Sequence, residues 1–78
     1  PKTILIADDE PLLTEMLEFR LRAKGYGTTV ASDGREALEK FASKRPSAVV
    51  LDAMMPVHDG MEVLRRIRMD EQHGDVPV

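Results

Sequence analysis

The chain contains no cysteine, so neither a disulfide nor a thiolate metal site can form. It has no tryptophan, one tyrosine and two phenylalanines, too few aromatic faces for a platform of stacked nucleotides. Positive charge is not in excess either. Eleven Lys and Arg stand against 14 Asp and Glu, a net charge of −3, which argues against a sequence-independent nucleic-acid binder. No apolar stretch approaches the ~20 residues of a membrane span, and no secretory leader is visible. The expected setting is therefore the cytoplasm, with no membrane contact. A glycine-rich phosphate loop and a dinucleotide fingerprint are both missing. What is present is ordinary for a globular protein: 42% hydrophobic and 32% charged residues. With 78 residues the chain is at most one small domain, 1–78. A domain this short buries a modest share of its surface and depends on a metal, a disulfide or a partner. With disulfides excluded, metal and partner remain.

Two short apolar runs end in aspartate. Thr3-Ile4-Leu5-Ile6-Ala7 leads into Asp8-Asp9, and Ala48-Val49-Val50-Leu51 leads into Asp52. Such runs read as buried strands of a parallel sheet. Between them, Pro11 suits the first turn of a helix, preceded by acids able to cap it. Leu13, Met16, Leu17 and Leu21 give that helix an apolar stripe. Arg20, Arg22 and Lys24 favour its carboxyl end, and Gly25 stops it. Residues 26–31 hold the β-branched run Thr28-Thr29-Val30 and read as a more polar edge strand. Asp33 with Glu36 resembles a capping box, followed by Ala37, Leu38, Phe41 and Ala42 on the buried face of a second helix. Asp59-Gly60-Met61-Glu62 repeats that pattern and opens a third helix with Met61, Val63, Leu64 and Ile67 as its apolar side. Val76-Pro77-Val78 reads as the start of a fourth strand. The order is βαβαβα plus a strand stub, which implies an α/β fold with a parallel sheet and right-handed crossovers.

Acids just past strand ends sit at the carboxyl edge of the sheet, where open α/β folds bind ligands. If the first and third strands are neighbours, as in the flavodoxin-like order 2-1-3, Asp8, Asp9 and Asp52 converge. Clustered carboxylates suit a hard cation such as Mg²⁺, which prefers oxygen ligands. Asp52 can also act as a nucleophile toward a phosphoryl donor, giving an acyl phosphate. A lone acid after a strand is most often a helix cap or a loop residue. A pair plus a third, each following an apolar run, is not explained that way.

In these residues the chain resembles the receiver domain of two-component response regulators. The resemblance is carried by Ile4-Leu5-Ile6-Ala7-Asp8-Asp9-Glu10-Pro11, by Asp33-Gly34 with Glu36-Ala37-Leu38, and by Leu51-Asp52-Ala53-Met54-Met55-Pro56 with Asp59-Gly60. It implies that Asp8 and Asp9 hold the metal, that Asp52 is the phosphoryl acceptor, and that Met54 offers its backbone carbonyl to the metal. It also implies a phosphohistidine donor on a sensor histidine kinase or phosphotransfer protein, and a signalling module in place of an enzyme. The family domain has five strands and five helices, so the chain matches its amino-terminal part. The family's switch hydroxyl and the lysine ending its fifth strand have no counterpart here. Lys2, Lys24, Lys40 and Lys44 are expected on helices or at the opposite edge of the sheet. An impaired switch follows, as does an uncovered third strand through which two chains could pair.

The competing reading is a non-phosphorylated interaction or assembly module that uses the half-receiver as a scaffold. An aspartyl phosphohydrolase would want a second acid two residues after its nucleophile, and position 54 is Met. His58 reads as an exposed loop histidine, and His73 as solvent-facing. Arg65, Arg66 and Arg68 read as a solvated helix face. Of Met54, Met55 and Met61, at least one belongs to the core.

Overall fold

The computed structural model describes residues 2–52, 55 and 59–78. Six elements follow the expected order: β1 (Thr3–Ala7), α1 (Pro11–Ala23), β2 (Gly27–Ala31), α2 (Gly34–Lys44), β3 (Ala48–Leu51) and α3 (Gly60–Arg68). The three strands form one sheet in the order β2-β1-β3. Both pairings are parallel, with Leu5 opposite Thr29 on one side and Val49 on the other. β1 is thus the central strand and β2 lies at the edge, as its polarity suggested.

The direction of travel across this sheet reverses after β2. With right-handed crossovers, α1 therefore lies on one face and α2 on the other. Strand alternation sorts the side chains accordingly. Leu5, Ala7, Ala31 and Val49 join Ala37 and Phe41 of α2 and Val63 and Ile67 of α3 in one buried cluster, which Met55 and Val76 complete. Ile4 and Ile6 are also buried but face the side of α1. Val50, level with Ile6 in the register, is on that second face too and is exposed.

Helix ends obey local chemistry. The Asp33 carboxylate accepts from the Glu36 amide at 2.8 Å, and the Asp59 carboxylate from the Glu62 amide at 2.9 Å. Glu36 completes its box one residue early, accepting from the Ser32 amide at 2.7 Å. Pro11 does open α1, but no side chain caps that helix. The nearby Asp8 carboxylate instead takes the Glu10 amide ahead of it, at 2.9 Å. At the far end, the Tyr26 amide bonds to Leu21 O at 3.1 Å and the Gly25 amide to Arg22 O at 3.0 Å. That pair of bonds needs a left-handed residue between helix and strand, and Gly25 supplies it with φ +93°. In α2 the same job falls to Arg45, at φ 48°.

Some faces differ from the sequence expectation. On α1 the buried residue is Thr14, not Met16, which is exposed. The Thr14 hydroxyl donates to Pro11 O at 3.0 Å, so its polar group is satisfied inside the helix and it can turn to the sheet. Leu13, Leu17 and Leu21 are half-buried beside it. On α2, Ala42 is exposed, and on α3, Met61 is exposed while Val63 and Ile67 carry the packing. Met55 is the buried methionine.

The segment after α3 is folded tightly back. His73 is not solvent-facing: it is half-buried, its ring stacks on Phe41 with centroids 5.6 Å apart, and Nε2 contacts Pro46 O. Arg68 is more than a solvated cation, since its Nη1 donates to Gly74 O at 2.7 Å and to Val76 O at 2.6 Å. Those bonds, with Val76 in the core, bring 76–78 against β3, and the Val49 amide donates to Pro77 O at 2.9 Å. The outer edge of β3, expected to be open, is therefore occupied at Val49. Among the described residues no helix is long and apolar enough to cross a membrane.

Candidate functional site

Asp8 and Asp52 stand one residue beyond neighbouring strands, and the sheet fixes both main chains. The Asp52 amide donates to Ala7 O at 2.9 Å and the Asp8 amide to Ala31 O at 3.0 Å. Hydrogen bonding thus continues one step past β1 and β3, and carries the two acids to the same edge. Asp9 follows Asp8 before Pro11 turns the chain into α1. One ligand oxygen from each of Asp8, Asp9 and Asp52 lies within 4.8 Å of the others. Asp8 and Asp52 are half-buried, and Asp9 is exposed.

This donor set fits a hard divalent cation. It is all carboxylate oxygen, partly open to water, and tied to rigid strand ends. One oxygen of Asp8 is engaged by the Glu10 amide, which orients that carboxylate and leaves the other for a ligand. Such an arrangement suits Mg²⁺, which keeps several waters and accepts one or two protein carboxylates together with phosphate oxygens. Asp52, one residue past β3, stands beside the pair.

The structure brings the three predicted acids together. Met54, expected to offer a backbone carbonyl, and His58, expected in the loop, lie outside the described residues. The lysines are elsewhere, as anticipated. Lys24 is the carboxyl-terminal cap of α1 and Lys44 the last residue of α2, which puts both at the edge of the sheet away from the acids. Lys2 precedes β1 at that same edge. Lys40 donates from Nζ to Val30 O at 2.6 Å. What the sequence does not display is the backbone support from Ala7 and Ala31; these alanines carry no chemical signature, and only the register reveals their part.

Comparison with known proteins gives this edge a context. The family model described as the response regulator receiver domain matches residues 4–78. A curated relative, the response regulator MprA of Mycolicibacterium vanbaalenii, is 52% identical over 78 residues, all of this chain and 33% of the relative. The response regulator TrrA of Thermotoga maritima, solved in complex with Mg²⁺ and BeF, has a TM-score of 0.83 and 44% identity, covering 87% of this chain and 59% of that one. The receiver domain of a sensor histidine kinase from Pseudomonas aeruginosa, solved with a magnesium ion coordinated in its active-site cleft, has a TM-score of 0.90 and 34% identity, covering 97% and 62%. The chain thus spans a third of the length of that curated relative and about three-fifths of those solved chains.

Proposed function

Because this chain belongs to the response regulator receiver domain family, we propose that it is a phosphoacceptor module in which Asp52 takes a phosphoryl group. The supporting observation is the convergence of Asp8, Asp9 and Asp52 within 4.8 Å at the end of β1 and β3. In this reading a carboxylate oxygen of Asp52 attacks the phosphorus of a phosphohistidine. The N–P bond breaks, its electron pair returns to the imidazole, and an aspartyl phosphate remains. Asp8, Asp9 and Asp52, with the Met54 carbonyl, would hold Mg²⁺, whose charge neutralises the transferring phosphoryl oxygens when it is bound. The amide bonds to Ala7 and Ala31 keep the acids in place, so little reorganisation accompanies the transfer. The donor would be a sensor histidine kinase or a phosphotransfer protein, and the setting cytoplasmic.

The phosphoryl group of an acyl phosphate carries roughly −1.5 to −2 charge at neutral pH, in place of the −1 of the free carboxylate, at the carboxyl edge of β3.

Incubation with acetyl phosphate and Mg²⁺ tests this directly. A mass gain of one phosphoryl group, lost in Asp52→Asn, is the expected result; an unlabelled chain, under conditions that label an intact receiver, contradicts it. The second reading is an assembly module that uses the same half-sheet without phosphorylation. The exposed apolar residues of α1 favour it, and it predicts that Asp52→Asn changes nothing. Self-association through the β3 side, if it occurs, has Val50 as its exposed apolar contact, because the Val49 amide is already bonded to Pro77.

A further inference from the structure

The peptide unit joining Ala31 to Ser32 is gripped from both sides. Its N–H, that of Ser32, donates to Oε1 of Glu36 at 2.7 Å, and its C=O, that of Ala31, accepts the Asp8 amide at 3.0 Å. The unit joining Ala7 to Asp8 continues the pattern. Its N–H is that same Asp8 donor, and its C=O accepts the Asp52 amide at 2.9 Å. N–H and C=O point opposite ways across a planar trans peptide, so these bonds run in series. The chain of bonds begins at a carboxylate of α2, crosses the ends of β2 and β1, and finishes on the main chain of Asp52. Asp8 and Asp52, two of the three clustered acids, are both members of it.

Charge at the head of this series strengthens it. A hydrogen bond to an ionised acceptor is roughly twice as strong as a neutral one, and bonds in series polarise one another by roughly 10–30% each. Glu36 is itself held in place. Its amide is taken by the Asp33 carboxylate at 2.8 Å, which sets the first turn of α2. Its second oxygen, Oε2, lies 3.8 Å from Lys40 Nζ, and Lys40 donates in turn to Val30 O at 2.6 Å. The peptide units on either side of Ala31 are thus both fixed from α2, one through Lys40 and one through Glu36. Ala31 is wholly buried, which keeps water from its carbonyl. Helix capping alone does not account for the contact. A capping box returns the glutamate to the amide of the capping residue, here Asp33, whereas Glu36 passes over it to Ser32.

We propose that Glu36 is a positioning residue for the acid site: through the Ala31–Ser32 and Ala7–Asp8 peptide units it holds the main chains of Asp8 and Asp52, and its removal weakens the site for Mg²⁺. The inference rests on the reading of Asp8, Asp9 and Asp52 as a cation site. Helix α2 supplies none of those three acids, yet it is coupled to them through the backbone.

Two measurements on the whole chain test the relay: amide-proton NMR shifts, and calorimetric titration with Mg²⁺ in ~0.15 M KCl, where exposed charges are screened beyond ~8 Å. In Glu36→Ala the Asp8 and Asp52 amide protons are expected to move upfield as their bonds weaken. The Mg²⁺ dissociation constant should rise roughly tenfold, the lower end of what the loss of a ligand-orienting group costs. Glu36→Gln keeps the shape and loses the charge, and should fall between. Asp33→Ala separates this role from simple support of the helix. It strips the cap from α2 but leaves the relay, so it should lower the melting temperature and keep both the two amide shifts and the Mg²⁺ affinity. Unmoved Asp8 and Asp52 shifts in a folded Glu36→Ala overturn the proposal, as does an Asp33→Ala that harms Mg²⁺ affinity equally. Where circular dichroism shows Glu36→Ala to be unfolded, Glu36→Gln decides by the same readouts. An unaltered chain that binds no Mg²⁺ contradicts the acid-site reading instead, and the amide shifts then judge the relay alone.

Discussion

Asp59 and Asp70 show how much a single carboxylate contributes in so small a molecule. Asp59 receives the Glu62 amide at 2.9 Å and holds the start of α3, the helix that carries Val63 and Ile67 into the core. Asp59→Ala leaves that donor unmet, and a loss of about 1 kcal/mol is expected in urea unfolding. Asp70 accepts from the His73 amide at 2.8 Å and the Gln72 amide at 2.9 Å. The two bonds, the His73 one foremost, hold its carboxyl below the ordinary value of 3.8, with Arg45 and His73 charge adding to the pull and partial desolvation opposing it. The folded chain therefore binds this proton less readily than the unfolded one. Asp70 stabilises the fold at neutral pH, and its contribution disappears as the pH falls from the unfolded value through the lower folded one. Between neutral pH and about pH 3, the urea midpoint of the unaltered chain should fall further than that of Asp70→Asn. Equal falls would show that the bonds do not bias ionisation.

Elements explain what could be foreseen and what could not. The strands 3–7 and 48–51 are legible because each is a short apolar run closed by acids. The helices are legible from Pro11, Asp33 and Asp59 at their starts and Gly25 at a stop. The site follows from the same runs, since acids directly after parallel neighbours must share an edge. The facing of α1 was not legible, because Thr14 looks polar in sequence and becomes burial-competent only once its hydroxyl bonds to Pro11 O. Nor was the fold-back of 70–76, which depends on partners far along the chain: His73 on Phe41 and Pro46, Arg68 on two carbonyls, Asp70 on Arg45 at 3.5 Å. No local periodicity encodes such pairs. The same turn makes Gly74 indispensable through crowding. A Cβ there would stand 2.4 Å from Asp70 O and 2.8 Å from Arg68 O, both backbone atoms. Gly74→Ala should cost about 1–3 kcal/mol, the range for overpacking a tight site, with the loss visible in thermal melts. A melt unchanged from that of the original chain would mean that the turn relaxes freely.

For the whole molecule, the small core and the acid edge act together. A sheet of three strands with helices on both faces gathers one main cluster, and β3 gains a backbone bond from Pro77 in addition to its pairing with β1. Asp8, Asp9 and Asp52 sit where β1 and β3 end, so a cation held there ties the two strands together. A ligand that binds only the folded state stabilises it by mass action. With Mg²⁺ at about ten times its dissociation constant, the gain is about 1.4 kcal/mol. The melting temperature should rise with Mg²⁺ in the unaltered chain and remain flat in Asp9→Asn. A rise of the same size in that variant would place the cation elsewhere.

The central claim is that the three acids work as one site, with Asp52 the acceptor and the others serving the metal. Its most direct measurement is the mass of the intact chain after acetyl phosphate treatment, taken with Mg²⁺ and with a chelator, followed by mapping of the modified peptide. One added phosphoryl group on Asp52, present with Mg²⁺ and absent with the chelator, is the predicted result. Labelling that ignores the metal, or that maps to a residue other than Asp52, would contradict it.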